Sequence, residues 1–366
     1  PQSKVCLILL LARLAPLLED ELILQRALPI LVTCLDDEHH GHIRALALRA
    51  ITSMLMHVKT LTSSEADIFP SYLLPALNRV VKDPEIIVRV AYAECLGKLA
   101  EVSKRFLEYA HLLALRSSAM NQGSATEKLN GASSKSGKQE AAFPPIPPNG
   151  SSSNSSADVP PQPPNQSGGP STSTILAGTA AGTGSITLAA PLPAVEFPYA
   201  KRLRQLHESI TNWVKILCDE SQGELRKGTG LSCTSSLVKR TLLGSIMRVC
   251  VFFGVESCVS QLLPHLLTFF SDQDWELRYA FWTRIASVCA FIGPTLTEAY
   301  IMPGLENALV DVEERVMVGA LQFLQSLCEL ELLSIPAIMR YIVSKANVMV
   351  LHPCNPVRQA TIAFIA

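Results

Sequence analysis

The densest group of chemistry-bearing side chains is the run Asp36-Asp37-Glu38-His39-His40-Gly41-His42. Imidazoles among carboxylates are the donor types that hold zinc or nickel. Neighbours in one short turn rarely converge on one ion without a second segment, and no matching His or Cys partner is evident elsewhere. The run reads as a solvated turn between helices, and no metal is assigned to it. Other chemistry is missing in the same way. There is no nucleophile elbow, Walker loop or dinucleotide fingerprint. Gly182-Thr183-Gly184 and Gly228-Thr229-Gly230 follow no strand and open no helix, so they have no phosphate-binding context. No His-Arg-Asp loop or Asp-Phe-Gly triplet is present, so a protein kinase site is absent from these residues. The ten cysteines include no C-x-x-C pair, and the closest two are Cys250 and Cys258. Surroundings such as Ala93-Glu94-Cys95-Leu96 describe buried, reduced thiols. No catalytic residue, cofactor site or metal site is therefore expected.

A second pattern does use charged groups. An acidic turn is followed by a β-branched residue or Leu, then Arg, then a small residue. It reads Leu35-Asp36-Asp37 before Ile43-Arg44-Ala45, and Asp83-Pro84 before Val88-Arg89-Val90-Ala91. It returns as Asp272 before Leu277-Arg278-Tyr279-Ala280, and as Pro353 before Val357-Arg358-Gln359-Ala360. Softer copies lie at Val238-Lys239 and at Asp311 before Val316-Met317. Arg44 and Arg89 are 45 residues apart, and the later copies step by 39, 39 and 41. A period near 40 with two helices per unit is the signature of HEAT-type repeats. The fold expected is all-α: a HEAT-type α-solenoid of antiparallel helix pairs, interrupted by a long disordered insertion. An Asp of this phrase can cap the second helix or accept from the Arg of an adjacent turn. Stacked units would then set Asp36, Arg44, Asp83, Arg89, Asp272, Arg278, Asp311 and Arg358 in a ladder along one rim, with a weaker rung where Met317 replaces the cation.

The elements that would position this ladder follow from periodicity. Residues 4–18 read as a second helix, and 20–35 with 42–58 as the next pair. Residues 68–82 with 84–115 form another. There Val88, Ala91, Tyr92, Cys95, Leu96 and Leu99 make one apolar stripe. Glu94 with Lys98, and Glu101 with Arg105, have the spacing of i,i+4 ion pairs on the wet face. Asp83 is placed to cap this helix and Pro84 to open it. Later pairs are 200–217 with 236–253, 259–271 with 275–291, 295–310 with 314–330, and 335–351 with 356 to the end. Leu263-Pro264 and Met302-Pro303 repeat Leu74-Pro75, an early proline that kinks or starts the first helix.

Composition divides the chain into repeats over 1–116, a Ser/Gly/Pro-rich segment over 117–197, and repeats over 198–366. The middle segment has too little apolar surface to offset the entropy of ordering and reads as a disordered insertion. Its PxxP steps at Pro144–Pro148 and Pro160–Pro164 fit SH3 or WW grooves, or a plain spacer. Net charge is −1, which gives no field for nucleic acid. Val5–Ala12 is apolar but broken by Arg13, and no stretch has the unbroken apolar length of a transmembrane helix. The first residue is not Met and the last lie inside a helical pattern, so the chain reads as part of something longer. Trp275, Phe281, Trp282 and Phe252-Phe253 concentrate the aromatics; packing between repeats is the first reading, and an exposed Trp would anchor a partner.

The wording of the repeats is more specific than their period. Ile87-Val88-Arg89-Val90-Ala91-Tyr92-Ala93-Glu94, with Leu99-Ala100-Glu101 and Arg105-Phe106-Leu107, resembles the helical-repeat region of one family. So do Arg248-Val249-Cys250-Val251-Phe252-Phe253-Gly254 and Leu262-Leu263-Pro264 running into Phe269-Phe270-Ser271-Asp272-Gln273-Asp274-Trp275-Glu276-Leu277-Arg278. The family is the large regulatory subunit of the class III phosphatidylinositol 3-kinase complex, a vacuolar-protein-sorting, protein-kinase-like scaffold. The resemblance implies a parent with an N-terminal kinase-like domain, this HEAT-type middle and a C-terminal WD40 propeller. It implies the lipid kinase catalytic subunit and a Beclin-like subunit as partners, on endosomal, autophagic or vacuolar membranes. No catalytic residue carries over, because the kinase-like domain is not in this chain. A non-enzymatic scaffold segment is the expectation; a generic HEAT-repeat adaptor, such as a phosphatase scaffold or transport receptor, is the alternative.

Overall fold

The structure is a computed structural model and describes residues 1–62, 64–132, 198–218, 232–341 and 347–366. Every regular element among them is helical, and the elements pair and stack as an all-α solenoid. One unit contains 1–120 together with 196–366, so the parts on either side of the insertion belong to a single stack. Of the second unit, 121–195, only the helical backbone of 121–132 is described.

The order is α1 (Gln2–Leu14), α2 (20–35), α3 (Gly41–His57), α4 (69–80), α5 (Ile86–Ala132), α6 (Pro198–Cys218), α7 (Ser232–Ser257), α8 (258–271), α9 (Trp275–Arg284), α10 (Ala286–Ile292), α11 (Pro294–Tyr300), α12 (Met302–Ala308), α13 (Glu314–Glu329), α14 (Ile335–Tyr341), α15 (Asn347–Met349) and α16 (Asn355–Ile365). The second helices of successive units are α1, α3, α5, α7, α9 (continued by α10), α13 and α16. The first helices are α2, α4, α6, α8, then α11 with α12, then α14 with α15. Helix α5 runs past residue 117, where composition placed the start of the insertion. Ala119, Met120, Glu127, Lys128 and Leu129 are good helix formers and favour a helix through this stretch. The remainder of that segment, 133–197, lies outside the described residues, as does the Gly228-Thr229-Gly230 loop.

The prolines of the first helices have a local consequence. Three of those helices carry a π-helical turn, Ile23–Ala27, Phe69–Leu73 and Cys258–Leu262. Each turn ends just before Leu28-Pro29, Leu74-Pro75 or Leu263-Pro264. Proline lacks the N–H and crowds the carbonyl four residues back, so a wider turn takes up the clash without ending the helix. Gly254 (φ 75°) breaks α7 near its C-terminal end and Gly293 (φ 89°) caps α10, at corresponding places in successive units. A side chain there would be strained by the backbone alone.

The core runs the length of the stack. The stripe expected on α5 is buried, with Val88, Ala91, Tyr92, Leu96 and Leu99 at 0% exposure. Phe281 and Trp282 are also sealed, in a row of rings with Phe270 and Phe323. Trp213 of α6 is fully buried, meets Tyr92 edge-on, and donates its indole N–H to Asn78 Oδ1 of α4. One run, Ser236–Ser271, is apolar and long enough to cross a membrane by composition. In the fold Gly254 interrupts it, and Val238, Leu242, Ile246, Val249 and Cys250 of α7 are spent on the core.

Candidate functional site: the rim of interrepeat ion pairs

In four of the described units the turn between the two helices presents an aspartate. Its position is fixed locally. Asp37 Oδ1 accepts from the backbone N–H groups of His39 and His40, Asp83 from Glu85, Asp272 from Asp274, and Asp311 from Glu313. These Asx-type turns satisfy donors that the helix start leaves open. The free side of each carboxylate faces the previous unit, where a cation waits on the second helix.

Four such rungs are described. Arg44 grips Asp83 in a two-pronged pair, Nε to Oδ2 at 2.6 Å and Nη2 to Oδ1 at 2.8 Å. Arg278 grips Asp311 in the same way, at 2.8 and 2.7 Å. Lys239 reaches Asp272 Oδ2 at 2.9 Å, and Lys4 reaches Asp37 Oδ2 at 2.7 Å. Each arginine also turns back on its own unit. Arg44 Nη1 donates to the Asp37 carbonyl, and Arg278 Nη1 to those of Asp272 and Gln273. One guanidinium therefore ties its own interhelix turn to the next. The planar fork of arginine permits this; a lysine ammonium cannot offer both prongs with a fixed geometry.

Burial separates the rungs. The Arg44–Asp83 side chains are 9% and 8% exposed, and those of Arg278–Asp311 15% and 11%, whereas Lys4 is 54% exposed. The hydrogen bonds to Asp83 hold the Arg44 proton more tightly than usual, and Asp311 does the same for Arg278. Burial alone would push the Asp311 carboxyl up. The bonds from Arg278 and from the turn N–H groups outweigh it, and the group lies below its ordinary value. Bonds from Lys4 and then His40 hold Asp37 well below its own.

The ladder differs from the sequence expectation at three places. Asp36 is not a rung residue; it points to Arg79 at 3.2 Å on the surface, and its neighbour Asp37 takes the rung because only Asp37 closes the turn. Arg89 has no aspartate partner among the described residues, and its Nε is buried without a hydrogen bond. The following interhelix turn falls in 219–231, outside the described residues. Arg358 finds no aspartate either, and donates to the His352 and Pro353 carbonyls and to Asn355 Oδ1. At the rung before it, Met317 stands in the cation's place and is 7% exposed. The facing turn has lost its acid as well: His352 Nδ1 accepts from the Cys354 N–H, the role aspartate plays elsewhere. Lys4 and His352 are absent from the expected ladder, and Asp37 stands in the phrase only beside Asp36, although Lys4 and Asp37 share the 33-residue spacing of Lys239 and Asp272.

The surface pairs expected along α5 are also redirected. Glu94 meets Arg49 of α3 at 2.9 Å, Glu101 meets Arg248 of α7 at 2.8 Å, and Arg105 donates to the Leu55 carbonyl. Stacked helices bring guanidinium groups from both sides closer than the partner one turn away. In the His39–His42 turn, His40 Nδ1 lies 3.0 Å from Asp37 Oδ1, and that same carboxylate holds Lys4. Among the described residues no group of three His, Cys, Asp or Glu side chains is arranged to hold a metal ion.

The stack can thus fix the register of successive helix pairs, and what it belongs to follows from comparison with known proteins. The family described as "PIK3R4-like, middle domain" matches residues 1–143 and 183–366, leaving out only part of the insertion. The chain belongs to this family. A probable serine/threonine-protein kinase vps15 from Dictyostelium discoideum is 30% identical over 368 residues, which is all of this chain and 15% of that protein. A serine/threonine-protein kinase VPS15 from Arabidopsis thaliana is 28% identical over 98% of this chain and 20% of its own length. A non-specific serine/threonine protein kinase from Candida glabrata is 25% identical over 89% of the chain and 18% of its own length. The chain therefore spans under a quarter of these relatives. It corresponds to the middle region of a PIK3R4-like regulatory subunit, and the rim of ion pairs is a feature of that middle region.

Proposed function

We propose that this PIK3R4-like middle segment is a non-catalytic scaffold within a class III phosphatidylinositol 3-kinase complex. It spaces and orients the regions on either side of it and so organises the lipid kinase for endosomal or vacuolar sorting and autophagy. The observation that carries this reading is the match to the PIK3R4-like middle domain over both repeat blocks. The rungs support it, because a scaffold must hold distance and angle, and paired guanidinium forks joining turn to turn do that. On this reading the serine/threonine kinase named for the relatives belongs to other parts of those longer chains. Partners on this reading are the lipid kinase catalytic subunit and a Beclin-like subunit, with attachment to endosomal, autophagic or vacuolar membranes made through the complex. No cofactor is invoked.

The test is co-purification. The chain, shown to be helical by circular dichroism, is expected to be retained by tagged catalytic subunit together with the Beclin-like subunit. A folded chain that neither subunit retains, alone or together, would overturn the proposal.

A further inference from the structure

Along the face made by the second helices, cations pair with acids on the adjacent unit. Arg49 pairs with Glu94, Arg248 with Glu101, and Arg240 with Glu276. The rule stops one unit later. Where Arg240 and Glu276 face each other between α7 and α9, the corresponding positions between α9 and α13 hold Tyr279 and Arg315. Among the described residues Arg315 has no carboxylate partner; its guanidinium lies over the Trp275 ring, 5.5 Å from the centroid. Arg284, one turn and a half along α9 from Arg278, is exposed and likewise has no carboxylate partner.

These groups line one concavity of about 650 Å³ crossing α7, α9 and α13. Trp275, Tyr279, Arg284 and Arg315 are among its lining residues, with Arg315 over the Trp275 ring. Two glycines make the room. A Cβ on Gly244 would fall 2.8 Å from Arg284 Nη1, and one on Gly319 would fall 3.0 Å from the Tyr279 ring. Only the missing side chains let the guanidinium and the phenol ring lie where they do.

We propose that this groove is a docking site for an acidic peptide segment carrying an aromatic or branched aliphatic side chain. Two uncompensated guanidinium groups ask for carboxylates, and arginine beside Trp and Tyr is the composition of binding hot spots. The Trp275 and Tyr279 rings in the lining ask for an apolar side chain between those carboxylates. A dense polyanion fits poorly, because Glu94 and Glu276 line the same groove and would face it. A concavity suits a chain segment better than a flat lipid surface. The chain's own 133–197 segment is a poor occupant as well: its acids are Glu140, Asp158 and Glu196, far apart in sequence. This inference does not depend on the lipid kinase reading, since it needs only the chain itself.

The experiment selects a random-peptide phage library on the folded chain at physiological ionic strength. The best-enriched peptide is then measured by fluorescence anisotropy. Enrichment of acidic sequences with an aromatic or Leu/Ile side chain is expected. R284Q and R315Q should each weaken the peptide several-fold and together by about tenfold or more, the loss of one to two charge-assisted contacts. R248Q removes the same charge from the paired Arg248 outside the groove and should leave affinity unchanged. Trp275 emission should shift on binding in the parent chain. The proposal is overturned if no peptide is enriched, if the enriched peptides are not acidic, if R248Q weakens binding as much as R284Q, or if phosphatidylserine vesicles or single-stranded DNA bind in an Arg284-dependent way and acidic peptides do not. Circular dichroism and melting curves of each variant exclude misfolding as the source of a loss.

Discussion

Replacing Arg278 by Met removes four hydrogen bonds at one rung: two to Asp311 and two to the carbonyls of Asp272 and Gln273. Asp311, 11% exposed in the intact rung, is then left with only its turn N–H donors. Breaking a fully buried ion pair by deleting one partner costs about 3–5 kcal/mol. Here both groups retain some water, so the cost expected for R278M is about 2–3 kcal/mol. D311A orphans an arginine that keeps its two carbonyl contacts, and should cost about 2 kcal/mol. The double variant removes both charges together. It should cost about 3 kcal/mol, well under the sum, giving a coupling energy near 1.5 kcal/mol. R248M is the control, because Arg248 and Glu101 are 51% and 49% exposed and such a pair is worth about 0.5 kcal/mol or less. The assay is urea unfolding followed by circular dichroism and by tryptophan fluorescence. Both probes are needed because a repeat array can lose units one at a time. A coupling energy under about 0.5 kcal/mol, or R278M no more damaging than R248M, would refute the view that the rung joins units rather than decorating them.

Further outcomes follow from other contacts. Because the folded Asp311 and Asp37 carboxyls lie below their ordinary 3.8, their contribution is complete above that pH and fades as pH falls below it. D311N should therefore flatten the fall in urea midpoint with acidification below that point, and an unchanged slope would contradict the assignment. N78A strips the buried Trp213 N–H of its acceptor and should cost about 1–3 kcal/mol in the same unfolding assay. G97A sets a Cβ 2.8 Å from the Ser245 carbonyl oxygen, so α5 and α7 must part; a loss of about 1–3 kcal/mol is expected, against a gain from helix propensity alone. Burial pushes the thiols of Cys218 and Cys289 up to about 12, so iodoacetamide at mild alkaline pH should label exposed Cys6 first and reach those two only on unfolding, as mass spectrometry of the digest will show.

The period and the apolar stripes made the solenoid legible before any coordinates. Val88 through Leu99 needed only helical spacing to be placed in the core, and they are there. The rim was harder. The phrase marks arginine and aspartate, but Asp36 and Asp37 are equivalent as letters. Only the closing of the turn, where Asp37 takes the His39 and His40 N–H groups, decides between them. Sequence spacing also favoured Glu94 with Lys98 and Glu101 with Arg105, because a single helix contains nothing nearer. Stacking supplies Arg49 and Arg248, and an interhelix contact replaces the local one. His352 was invisible as a turn residue because histidine is not in the usual set of turn formers. Its role appears only when Nδ1 is seen accepting from Cys354. Trp275 stood between core and surface on composition; the structure leaves it half-buried beneath Arg315, unlike sealed Trp282.

The junction between α13 and α16 holds a thioether and an imidazole where its counterparts hold a guanidinium and a carboxylate. Oil gives little resistance to sliding or tilting, whereas a two-pronged clamp permits neither. This junction therefore lacks the clamp, and two residues decide that. Pulled in an optical trap, the chain should yield there first. A bend between whole blocks of the molecule would then cost least at that seam, leaving the clamped stretches on the near side to move as rigid rods.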